Sequence, residues 1–182
     1  MWPWGHAALG YLLYRLGLTA TDRRPTGPAV LALAVGTQFP DLVDKPLAWT
    51  LAVLPSGRSL AHSLFAVAAL AAAALYLARR VDRGREARAF VVGHLSHLLG
   101  DALVPLAELD GTFLTFLVWP LLPPPPYASD SSFVAHVADL SLAPLLAFEL
   151  LLTALALAVW ARDGRPGLAT LGAAVRRRWT GA

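Results

Sequence analysis

Apolar residues run along this chain in long stretches that stop abruptly at proline, glycine or arginine. Trp4 to Gly17 reads as a short helix closing at Arg15, and Thr21 to Pro28 as a polar turn with two prolines and a glycine. Pro28 to Phe39 is apolar and meets Pro40, after which come Asp41, Asp44, Lys45 and Pro46. Proline removes a backbone donor and crowds the preceding turn, so this pattern predicts a broken helix. Irregular backbone of that kind survives at membrane depth only where protein or a wet cavity surrounds it. Leu47 to Leu54 leads into the turn PSGRS; Leu60 to Leu77 and Ala87 to Leu106 are the cleanest spans, with an arginine-rich loop between them. Glu108 to Ser132 is a connector that holds TFLTFLVWPLL and then four prolines in a row, a stiff extended stretch. Phe133 to Trp160 is the last span. The expected architecture is all-α: one membrane-embedded domain over residues 1–182, a helical bundle of about four spans with short or broken segments.

Composition strengthens the membrane reading. Hydrophobic residues make up 57% of 182 and charged residues 15%, with a mean hydropathy of +0.56, far from the roughly one-quarter charge of soluble domains. Ser59 to Ala78 is a run of 20 residues without formal charge, the length that crosses a hydrocarbon core of about 30 Å. The N-terminus lacks the positive region and small-residue cleavage site of a signal peptide and is expected to be retained. No cysteine is present, so any metal site is built from nitrogen and oxygen.

The net charge of +3 makes nucleic acid an unlikely partner because of where the charge sits. It is arginine, gathered in three connectors: Arg15 with Arg23 and Arg24; Arg79 to Arg88; and Arg162, Arg165 and Arg176 to Arg178. That distribution is positive-inside. It places these connectors and a basic tail, 162–182, in the cytoplasm, and makes the chain a multi-pass protein of the cell membrane with lipids as its surroundings.

Ionisable residues interrupt the apolar stretches where desolvation costs several kcal/mol unless a partner is found. His94, His97 and Asp101 fall at i, i+3 and i+7, on one face of a helix. His6, Asp41 and His62 interrupt three other stretches. Counting about 1.5 Å per residue from the arginine ends, His6, Asp41, His62, His97 and Asp101 all fall in the middle to outer half of a bilayer. A shared cation is the simplest partner for histidines with carboxylates. Each residue also has a plainer role: Asp101 can pair with Arg58, Asp41 can cap a turn, and His94 can support a ligand or only pack. Asp44 is a candidate ligand, proton acceptor or partner of Lys45. His136 and Asp139 form a further i, i+3 pair, and Glu149 stands in an apolar run without an evident partner. Phosphate loops, dinucleotide fingerprints, nucleophile elbows and HExxH are all missing.

In order, Gly5-His6, Gly36 to Asp41 (GTQFPD), Arg58 to Ser63 (RSLAHS) and Gly93 to Asp101 (GHLSHLLGD) form a pattern. It resembles the membrane-bound metal-dependent hydrolases of prokaryotes, the YdjM-like inner-membrane family, over residues 1 to 125. The family often has histidine and threonine where this chain has Gly57 and Ala61, and a second acid one residue before Asp44. The resemblance implies a hydrolase in which His6, Asp41, His62, His97 and Asp101 hold one or two divalent ions, zinc first, with manganese or iron as alternatives. The depth of the site leads us to expect water attack on a small-molecule or lipid ester, in the first place a phosphoester, with Arg58 either steadying an anionic oxygen or snorkelling to the interface and Asp44 taking a proton. A non-catalytic membrane protein with a structural metal site or polar network is the alternative, and an ion or proton transporter a third.

Overall fold

Pro3 and Pro28 open the first two helices, at positions where a missing N–H costs nothing and a fixed φ favours the turn. The computed structural model describes residues 1–126 and 144–180. In chain order these form α1 (Pro3–Thr19), α2 (Gly27–Lys45), a single π turn (Pro46–Thr50), α3 (Leu64–Arg80), α4 (Gly84–Ala107), a 3-10 helix (Gly111–Val118), α5 (Pro144–Arg162) and α6 (Leu168–Thr180). No strand occurs among the described residues, and the all-α expectation holds. His136, Asp139 and the start of the expected last span lie outside the described residues.

The expected break at Pro40 is absent. α2 continues through it to Lys45 and only then yields to the π turn. The pyrrolidine ring opposes the carbonyl of Gly36, and both Gly36 and Pro40 are buried. A Cβ on Gly36 would run into the carbonyl of Phe90, and one on Gly93 into that of Leu33. Two glycines thus let α2 and α4 touch backbone to backbone, the most extensive helix pair among the described residues. Packing along that line outweighs the single lost hydrogen bond.

Tyr11, Ala29, Val30, Leu33 and Ala89 form one apolar core between α1, α2 and α4. Val67, Leu98, Ala102 and Phe116 form a second between α3, α4 and the 3-10 helix. The segment read as a plain connector therefore plugs the bundle with a fully buried phenylalanine. α5 lies along α1. At one end Tyr11 Oη donates to Asp163 Oδ2 at 2.8 Å and Arg15 Nε donates to Oδ1 at 3.0 Å. At the other, the amide of Trp2 donates to Glu149 Oε2 at 3.0 Å. Trp2 precedes α1 and its side chain makes no capping bond, so Glu149 satisfies an orphan amide of that helix end from another helix. The basic tail is also helical, and α6 packs on α2, where Gly27 makes room for Thr170.

α4 and α5 are long and apolar enough to cross a membrane. Exposed apolar side chains such as Phe65, Leu77, Leu151 and Leu157 line the outer faces of α3 and α5.

Candidate metal centre

Four segments of chain meet in the interior. α1 brings His6, α2 brings Asp41 and Asp44, the loop before α3 brings Arg58 and His62, and α4 brings His94, His97 and Asp101. His6, Asp44, His62 and His97 are completely buried, and Asp101 nearly so. Gly100 clears space for this gathering: a Cβ there would stand 3.0 Å from His6 Nδ1.

His62 does not lie on the helix expected to carry it, because α3 begins at Leu64 rather than Leu60. Asp44 is the physical cause. Its carboxylate accepts from the amides of Ser59 at 2.9 Å, Ala61 at 2.8 Å and His62 at 3.3 Å. Those amides are thereby held in a loop. Ser63 then caps α3, its hydroxyl accepting from the amide of Ala66 at 3.2 Å. Asp44 Oδ2 also receives His62 Nδ1 at 2.8 Å. A carboxylate this occupied and this buried orients His62. It does not pair with Lys45, which binds Asp41 Oδ2 at 2.7 Å.

The tautomers follow from the partners. Asp44 fixes the proton of His62 on Nδ1. The carbonyl of Thr37 accepts from His97 Nδ1 at 2.7 Å. Both Nε2 lone pairs then face each other across 3.1 Å. Two lone pairs at that distance repel unless a proton or cation lies between them. Two carboxylate oxygens complete the arrangement. Asp41 Oδ1 is 3.5 Å from His62 Nε2 and 3.7 Å from His97 Nε2, and Asp101 Oδ2 stands at the same two distances. Ligand atoms about 2.0–2.1 Å from one zinc at the tetrahedral angle are separated by about 3.3–3.4 Å. The spacing of His62, His97 and Asp101 is of the order a small divalent ion needs.

His6 stacks on His97, ring centroids 3.7 Å apart, with Nε2 3.4 Å from Asp101 Oδ1. Neither of its ring nitrogens has a hydrogen-bond partner among the described residues, whereas Asp101 Oδ2 is already ion-paired with Arg58. Two overlapping groups, His6–Asp41–His97 and His62–His97–Asp101, could hold a metal ion. Buried polar atoms without partners cost about 1–3 kcal/mol each, and a bound cation would remove that cost.

Arg58 is engaged rather than free. Its Nη2 donates to Asp101 Oδ1 at 3.2 Å and its Nε lies 2.8 Å from Oδ2. The pairing weighed from sequence is thus present. His94 turns away from the cluster and its Nε2 donates to the carbonyl of Ala61 at 2.7 Å, so it braces the His62 loop. Only the separation of the loop from α4 in the sequence hid that bond.

The helices and the buried histidine–aspartate cluster define a membrane-embedded all-α protein with a metal-competent interior. The family model described as YdjM inner membrane protein matches residues 1–175, and the chain belongs to that family. No curated protein and no solved structure matches the chain at a significant level.

Proposed function

We propose that the chain is a metal-dependent hydrolase of the inner membrane that cleaves an ester, in the first instance a phosphoester or lipid-derived one. The observation that carries this reading is the pair of Nε2 atoms 3.1 Å apart, flanked by two carboxylates. Zinc suits the nitrogen–oxygen donors best, and manganese or iron would accept the same set. When bound, such an ion supplies Lewis acidity, lowering the pKa of a water and polarising an ester oxygen.

The chain's own residues do the rest. Asp44 and the Thr37 carbonyl lock the two imidazoles so that Nε2 faces inward, the support that tunes ligating histidines. A cavity of about 280 Å³ adjoins Asp101 and Arg58, with Val104, Phe113 and Leu145 on its apolar side. Arg58 lines it with a fifth of its side chain exposed, and exchange from Asp101 to a substrate oxygen would give an anionic group a bidentate anchor. The cavity lies at the end of α4 away from its arginines. With those arginines in the cytoplasm, substrate would arrive from the outer half of the bilayer.

One observation favours the structural alternative: the ligand atoms are almost wholly enclosed, as in metal sites closed by four protein donors. Elemental analysis of purified protein beside H97A/D101A tests the site, followed by a panel of phosphoester and lipid substrates. Metal in the wild type, its loss in the variant and metal-dependent turnover are expected. Metal retained in the variant would reject the ligand set, and full occupancy without turnover would favour the structural ion.

A further inference from the structure

At the opposite end of the bundle, four arginines line a cavity of about 340 Å³ between α1, the α1–α2 loop and α4. Arg23 and Arg24 come from the loop, Arg85 and Arg88 from the first turns of α4. No carboxylate lines this cavity. Their guanidinium groups make no hydrogen bond or ion pair with any described residue. Elsewhere at this end Arg15 pairs with Asp163 and Arg83 with Glu86. The four here converge on one cavity.

The wall is as informative as the rim. Leu13, Leu18 and Val92 line the cavity, with Tyr14 beside Arg85 and Arg88. Arg85, Arg88 and Val92 lie along one face of α4 at i, i+3 and i+7, so the surface passes from cationic to apolar within two turns, toward the centre of the span. A soluble anion would need only the cationic part. A molecule with a phosphate head and a hydrocarbon body needs both, in this order and at this depth. Guanidinium forks match phosphate oxygens, and basic groups at a membrane surface attract anionic lipid.

We infer that this cavity is a binding site for an anionic phospholipid, its phosphate held by Arg23, Arg24, Arg85 and Arg88 and its first chain carbons against Leu13, Leu18 and Val92. The site is separate from the histidine–aspartate cluster and does not depend on catalysis. The test reconstitutes full-length protein in phosphatidylcholine nanodiscs with rising phosphatidylglycerol, and counts retained lipid by native mass spectrometry after gentle detergent release. Wild type is expected to retain phosphatidylglycerol selectively. The R85A/R88A variant is expected to bind it on the order of thirtyfold more weakly, from about fivefold per guanidinium. R23Q/R24Q, confined to the loop, is expected to weaken it similarly, and covers the case in which the α4 variant folds poorly. Unchanged metal content in both variants would show that the interior is intact. Equal retention in wild type and loop variant would overturn the proposal. So would full displacement by inorganic phosphate or glycerophosphate, which would make this a site for soluble anions.

Discussion

Asp44 illustrates how one buried carboxylate sets a local structure and a chemistry together. Its three amide acceptances hold Ser59 to His62 as a loop, and its fourth bond fixes the tautomer of His62. In D44N the amide oxygen could still accept, but the NH₂ group would oppose amide donors or the imidazole N–H. D44N is expected to lose about 3 kcal/mol of stability, the scale for breaking a buried charged partnership. Metal affinity is expected to fall by about 10- to 100-fold, as for supports of ligating histidines. Denaturation and metal titration of the one variant measure both; wild-type affinity in a destabilised D44N would separate the two roles. The ligand candidates were legible in the sequence because ionisable groups in apolar stretches stand out. The roles of Asp44 and His94 were not, since their partners are backbone groups of a loop, to which a side-chain pattern is blind. Glu149 was conspicuous for the same reason as the ligands, yet its partner is a main-chain amide 147 residues away.

At the scale of elements, the α2–α4 contact decides where the cluster forms. His97 reaches the Thr37 carbonyl only because Gly36 and Gly93 bring the two backbones together. G36A and G93A are each expected to cost about 2 kcal/mol or more through overpacking. G17A is the control: nothing lies within 4 Å of a Cβ there, so alanine should be neutral or stabilising by up to about 1 kcal/mol. Thermal unfolding of the three variants in one detergent checks the contrast. Helix existence could be read from apolar runs, and α1 and α4 came close to their expected limits. The passage through Pro40 could not, because the compensation is tertiary: α4 packs against Gly36, opposite the proline ring. The 3-10 helix was likewise hidden, its burial depending on a groove between α3 and α4.

For the molecule as a whole, α5 is the clamp that closes α1 over the cluster. Glu149 grips one end of α1 and Asp163 the other. Glu149 on α5 and Asp163 just past its end are 14 residues apart, about 21 Å at the helical rise, and share no partner. E149A and D163A are therefore expected to destabilise additively, to within about 0.5 kcal/mol; a large coupling energy in the double variant would mean that α5 transmits strain along its length. Neither grip supplies a candidate ligand. All of those, from His6 to Asp101, belong to the first 101 residues, while α5 begins at Pro144. A nascent chain thus exposes every proposed ligand to the membrane interior before its last long helix leaves the ribosome. Cation capture can precede the sealing step, and the timing of synthesis itself would keep the loading route open until α5 arrives.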